Sequence, residues 1–263
     1  MKTVRKYFIL WGKLTANSFL SILASRFGAS IFLLGKTLRF LFFFVFLLTI
    51  FTKISFIATY SVAQAVFFFL TFNLIDTTTQ LFFREVYRFR QLVVTGDFDL
   101  VLTKPMNPLF RALVGGADPL DLLMLIPYIG LLIYLSLQLG GIQFWSVTLY
   151  LILILNGFLI AAGFHILVLA LAVVTTEIDH TIMIYRDLTS MGRVPIDIYR
   201  EPLRGILTFI IPIGIMMTFP AKAFLGLLSP TSMLLAFIVG LVFFILSVRI
   251  WRFALTQYSS ASS

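Results

Sequence analysis

Cysteine is absent from this 263-residue chain, which excludes a disulfide framework, a thiolate metal site and a cysteine nucleophile. Charge is scarce: Asp, Glu, Lys and Arg make up 12% of residues, against the ~25% with which a soluble globular chain covers its surface. Acids are the scarcer sign, 11 against 20 bases, for a net charge of +9. In their place the chain is 60% hydrophobic, with a mean hydropathy of +1.04. Cytosolic enzymes, nucleic-acid-binding domains and disordered tails are thereby excluded. The positive excess does not point to nucleic acid, because Lys and Arg lie between apolar runs, where they act as topology determinants.

Several chemical motifs are missing too. No Gly-x-Ser-x-Gly elbow or His-Glu-x-x-His pair occurs. The nearest approach to a phosphate loop, Gly35-Lys36-Thr37, has Ser30 where the upstream glycine belongs, and apolar Ile31-Phe32-Leu33-Leu34 between. The chain is therefore expected to bind no ATP, to carry no cofactor or metal, and to be no enzyme by itself. Its basic start, Met1-Lys2-Thr3-Val4-Arg5-Lys6, leads into a short apolar run broken by Lys13, without a small-residue cleavage site, and is expected to be retained.

What is present is a series of runs long enough to cross ~30 Å of hydrocarbon. Six are read: within Leu38–Tyr60, Val62–Phe83, Leu120–Leu139, Ile142–Val174, a fifth from near Ile206 broken by Pro212 and Pro220, and Ser232–Phe253. The fold class is thus an all-α membrane protein, one transmembrane domain over residues 1–263. With this placement every Lys and Arg except Lys53 and Lys222 falls on one side. The positive-inside rule then makes both termini cytoplasmic, together with loops 84–117 and 175–205.

Residues 1–36 repeat apolar and basic residues at helical spacing, as in Tyr7, Phe8, Leu10, Trp11 and Leu14 with Lys6 and Lys13. Such a helix suits the inner headgroup layer, either as a simple anchor or as an elbow that moves with a partner. In loop 84–117 a short helix is expected to stop at Gly96 and a second to start at Asp97, with Asp97 capping its amides and Pro105 and Pro108 fixing a rigid exit. That is a compact knuckle at the membrane surface.

Polar groups at membrane depth are few and are candidate pathway residues. Asn73 and Asp76 lie toward the inner end of the second run, where Asp76 could snorkel or pair with Arg84. Asn156 and His165 lie in the fourth, with His165 read more readily as an interhelical hydrogen bond than as a proton-sensitive site. The phenylalanine runs Phe42–Phe44, Phe67–Phe69 and Phe243-Phe244 face lipid, pack between helices or line a pathway. Glu177, Asp179 and His180 lack metal-site spacing and read as loop charges. Gly157, Ala161, Ala162 and Gly163 would permit close helix approach, a subunit seam included.

The stretch Gly96-Asp97-Phe98-Asp99-Leu100 through Lys104-Pro105-Met106-Asn107-Pro108-Leu109 resembles the hallmark of one branch of the type-2 ABC exporter permeases. So do Pro202-Leu203-Arg204-Gly205 followed by Phe209-Ile210-Ile211-Pro212 and Phe219-Pro220-Ala221, and the ending Ala254-Leu255-Thr256-Gln257-Tyr258-Ser259-Ser260-Ala261-Ser262. The resemblance implies a six-span half-transporter in the cytoplasmic (inner) membrane that pairs with a like subunit, as homodimer or heterodimer, and with two ATPase subunits carrying ATP and Mg. It implies that Gly96, Asp97, Phe98, Asp99, Leu100, Lys104, Pro105, Asn107 and Pro108 form the ATPase-coupling helix, with residues 1–36 as elbow and 219–230 as an outer re-entrant segment. The expected cargo is amphiphilic, lipid-like or drug-like. A non-transporting membrane scaffold is the alternative, and an ion-coupled carrier a weaker one because buried carboxylates are so few.

Overall fold

The structure is a computed structural model describing residues 2–54, 56, 58–140, 142–175 and 178–258, apart from the side chains of residues 2–3 and 178–180. Among the described residues every regular element is helical. The long helices are α1 (Lys2–Ala24), α2 (Arg26–Phe51) and α3 (Val62–Phe83). After a 3-10 turn, Arg84–Arg88, come three short helices: α4 (Phe89–Val94), α5 (Asp97–Leu102) and α6 (Pro108–Leu113). Then follow α7 (Pro119–Gln138), α8 (Phe144–Thr175) and α9 (Ile178–Ser190), the bent pair α10 (Leu203–Ile210) and α11 (Gly214–Phe224), and α12 (Pro230–Thr256). Helices α2, α3, α7, α8 and α12 are long and apolar enough to cross a membrane, and the α10–α11 pair, bent by 80°, meets the same test as one broken unit.

Local chemistry sets the helix starts. Asn107, Asp118 and Ser229 each accept a hydrogen bond from a backbone N–H of the first turn, and each is followed by a proline at the first helical position. Ser61 and Gln64 form a reciprocal capping box at α3. The N-terminal basic region, expected as one amphipathic stretch to residue 36, divides at Ser25. The break lies eleven residues earlier because Lys36 and Arg39 already belong to the apolar α2.

The core is built on α8. Its Gly157 lies where an added Cβ would sit 2.9 Å from the Met216 carbonyl oxygen, and its Gly163 abuts Phe243 and Ser247 of α12. The small residues of α8 thus serve close packing within the chain. The Asn156 amide donates to the Ala236 carbonyl at 3.0 Å, tying α8 to α12 inside the bundle. Phe67, Phe68 and Phe69 of α3 are fully buried, so this aromatic run packs between helices.

The segment after α8 takes an unexpected path. Residues 175–205 are expected from composition to stay at one end of the bundle as a loop. Instead α9 packs on α8, where Tyr185 meets Phe164 and His165, and its Arg186 lies over the Tyr87 ring; the turn that follows carries Arg193 over Phe72, halfway along α3, and over Phe43 of α2. Asp197 then accepts a 2.7 Å hydrogen bond from Tyr60, beyond the opposite end of α3. The physical reason is an apolar stripe, Ile182, Tyr185 and Thr189, which buries against the core while charged residues face outward. From Asp197 the chain enters α10–α11, whose Met216 backbone reaches Gly157 at mid-depth and whose Phe224 ring returns to Phe67, 4.7 Å away. The break expected at Pro212 is present, with Ile211 leaving helical geometry.

Candidate functional site

The knuckle forms where Gly96 adopts a left-handed conformation (φ 77°) that a side chain would strain, turning the chain between α4 and α5. Asp97 lies inside the first turn of α5 rather than capping it, and its carboxylate accepts from the Thr95 hydroxyl at 2.7 Å. It still places negative charge at the positive end of the helix. Phe98 is the anchor: 0% exposed, it meets Phe89 at 4.9 Å, Tyr258 at 5.3 Å and Trp251 at 6.5 Å between ring centres. Phe98 and Val101 thereby join a core that includes Leu169 and Val173 of α8 and Trp251 and Ala254 of α12. Burial, with the nearby Asp99 carboxylate, pushes the Tyr258 phenol up to about 12, so it stays protonated. The opposite side of the knuckle is bare. Val94, Asp97, Leu100, Leu102, Lys104, Pro105 and Asn107 are exposed, Leu100 by 59%.

Helix α1 is strapped to the exit of this knuckle. The Lys6 ammonium donates to the Pro105 carbonyl at 2.6 Å, and the Asn107 N–H donates to the Tyr7 hydroxyl at 2.9 Å. The Tyr7 ring packs on Phe110 at 4.6 Å, and the Ala117 N–H donates to the Thr15 hydroxyl at 3.1 Å. Gly116 lies so close to the Leu14 carbonyl that no Cβ fits there. The α1 helix and the 105–117 segment are therefore one mechanical unit, a connection that no local pattern in the sequence announces.

Above the knuckle sits an ion network. Arg84 pairs with Asp118 and with Asp121 (2.8 Å), and Lys36 also pairs with Asp121, whose side chain is 0% exposed. Arg111 pairs with Glu85 at 2.5 Å. These bonds join α2, the end of α3 and the start of α7. The expected Asp76–Arg84 pair is not formed, because the two α7-end carboxylates hold that guanidinium. Asp76 instead accepts from Gln80 at 2.8 Å and borders a small cavity with Arg39, Asn73 and Arg193. Asp121 was hidden from sequence reasoning inside a run otherwise apolar; the signal was the Asp118-Pro119-Leu120-Asp121 spacing, which puts both acids in one opening turn.

The remaining candidates are not brought together. Asn73 donates to the Phe69 carbonyl at 2.7 Å within its own helix. Asn156 is the α8–α12 bridge. His165 is buried and its Nδ1 bonds the Ala161 carbonyl of the same helix at 2.8 Å, an intrahelical contact rather than the interhelical one expected. Phe83, Tyr87 and Tyr185 surround its ring. The side chains of Glu177, Asp179 and His180 lie outside the described residues, among which no group of metal-ligating side chains occurs.

A second clamp lies at the far end of α3. Asp197 accepts from Tyr60 and pairs with Lys222 at 2.8 Å. Burial alone would raise this carboxyl, but the Lys222 and Tyr60 hydrogen bonds, with Arg204 nearby, hold it below the usual carboxylate range. Sequence reasoning assigned Asp197 and Lys222 to opposite sides of the membrane, so their pairing could not be foreseen.

A family described as ABC-2 family transporter protein matches residues 36–262 of the chain. No curated protein and no solved structure matches it.

Proposed function

This chain belongs to the ABC-2 family of transporter proteins, a multi-pass membrane permease, and from that premise we propose that it is the membrane subunit of an ATP-driven exporter whose motor is a separate pair of ATPase subunits. The observation that carries the proposal is the two-sided knuckle. Its inner side is locked by Phe98 to α8 and α12, and its outer side offers exposed Val94, Leu100 and Leu102 flanked by Asp97 and Lys104. A loop with no partner would gain nothing from holding three large apolar side chains in water on a rigid support. Gly96, Asp97, Asp99, Pro105, Asn107 and Pro108 shape and brace that surface, and Phe98 transmits its movement.

In this mechanism ATP and Mg bind on the partner subunits, and closure of the motor displaces the knuckle. Helix α1 moves with it through Lys6 and Tyr7, acting as the elbow. The knuckle end of the bundle is cytoplasmic, in keeping with the bases there. The crossing after α8 is then made by α9 and the turn through Arg193, while α10–α11 enters and leaves from the outer side as the re-entrant element. That gives six crossings with both termini inside, and places Arg200, Arg204 and the Asp197–Lys222 clamp outside. A second permease subunit, identical or related, completes the pathway along α2, which is left almost wholly uncovered. The cytoplasmic membrane is the site of action and an amphiphile the cargo.

The test is co-expression with the partner ATPase. Leu100→Asp and Lys104→Glu are expected to abolish co-purification while leaving the melting temperature of the permease within a few degrees, since exposed positions change stability by about 0.5 kcal/mol or less. Transport by the permease alone in vesicles, without nucleotide, would overturn the proposal.

A further inference from the structure

An open cavity of about 580 Å³ lies between α2, the end of α3 and α9, at the knuckle end of the bundle. Five cationic side chains line it: Lys36, Arg39, Arg84, Arg88 and Arg186. Two of them are neutralised inside the chain, Lys36 and Arg84 by Asp118 and Asp121. Arg39, Arg88 and Arg186 form no ion pair among the described residues, and no acid lines the cavity. Beyond Asp118 and Asp121, two carboxylates lie close by: Asp76 borders the adjoining cavity and is already held by Gln80, a residue the two cavities share, and Asp187 borders another that Tyr87 and Arg186 also line.

The frame around these cations is apolar. Ile31 and Phe32 form one rim, with the Lys36 and Arg84 charges 5.0 and 5.1 Å from the Phe32 ring centre. Beyond the rim, α2 continues as an uncovered apolar flank with exposed Phe27, Leu34 and Leu38. An unbalanced group of guanidiniums beside hydrocarbon is costly unless an anion meets it. The planar guanidinium fork matches phosphate oxygens in pairs, and the neighbouring flank matches acyl chains. We propose that this cavity binds the phosphate-bearing headgroup of a membrane amphiphile, with the hydrocarbon laid along α2. Under the export function proposed above that amphiphile is cargo; binding itself is measured without any ATPase, so a failed complex and a failed site give different results.

The experiment uses the full chain in non-ionic detergent and a fluorescent phosphatidylglycerol, read by polarisation. The double variant Arg39→Gln, Arg186→Gln is expected to weaken binding at least about tenfold, as loss of two charge-assisted contacts implies. Arg39→Lys, Arg186→Lys keeps the charge but loses the paired contacts, and is expected to bind more weakly than the unaltered chain and more tightly than the Gln variant, which separates loss of the site from loss of the fold. Arg249→Gln, Arg252→Gln removes two exposed charges of α12 outside the cavity and should leave binding unchanged. Displacement by inorganic phosphate at low millimolar concentration assigns the site to the phosphate group alone; displacement only by unlabelled phosphatidylglycerol assigns it to the headgroup on its lipid. Equal binding of a diacylglycerol, which has the acyl chains without the phosphate, undiminished binding in the Gln double variant, or an equal loss in the α12 variant would each overturn the proposal.

Discussion

Phe98→Ala separates holding the knuckle from merely displaying it. The ring is fully buried among Phe89, Trp251 and Tyr258, so truncation deletes a buried aromatic and leaves a cavity between α5 and α12. Such changes cost about 3–5 kcal/mol. The loss falls on a short element whose other buried anchor is Val101, with Val93 of the neighbouring α4 in the same core. It should therefore appear as local opening of α5 rather than unfolding of α3 or α8. At 1.4 kcal/mol per decade, amide exchange over residues 97–102 should speed up by roughly a hundred- to several-thousand-fold. Exchange in the centre of α8 should stay as it was. With the partner ATPase present, Leu100 and its neighbours still offer a surface, so nucleotide hydrolysis should persist while transport falls. Hydrogen exchange read by mass spectrometry, paired with transport in vesicles, decides the matter. Unchanged exchange over 97–102, or faster exchange spread across α8, would refute the claim that Phe98 is the local anchor.

Two further expectations concern buried charge. Asp121→Asn removes the carboxylate shared by Lys36 and Arg84 and should destabilise the chain by about 3–5 kcal/mol in a thermal melt; adding Lys36→Met should restore part of the loss, because one stranded cation goes with it. At the far end, the Asp197 carboxyl is held below its ordinary 3.8, so its contribution is full above that value and is lost as the pH falls through the lower folded-state value. Asp197→Asn should accordingly abolish that acid-side loss in a melting-temperature profile, and an unchanged profile would count against the clamp.

Composition alone determined the solvent this protein lives in. A chain so poor in charge has no means of covering a water-exposed surface, and its apolar runs are long enough that α3, α7, α8 and α12 fall within a few residues of where hydropathy places them. Gly96 marked the turn of the knuckle, since that effect acts over three or four residues, whereas Pro108, expected to fix a rigid exit, starts a helix capped by Asn107. Everything that joins distant segments was decided by tertiary structure. Asp97 looked like a cap, yet Gly96 takes that place. Asp76 looked like the partner of Arg84, yet Asp118 and Asp121 reach it from the start of α7. Most of all, residues 178–197 are charged enough to read as a loop, but their stripe of Ile182, Tyr185 and Thr189 finds the flank of α3–α8 and carries Asp197 to Tyr60 and Lys222. Hydropathy averages over a window and loses such a stripe; only packing against a neighbour shows which side of a polar helix is buried.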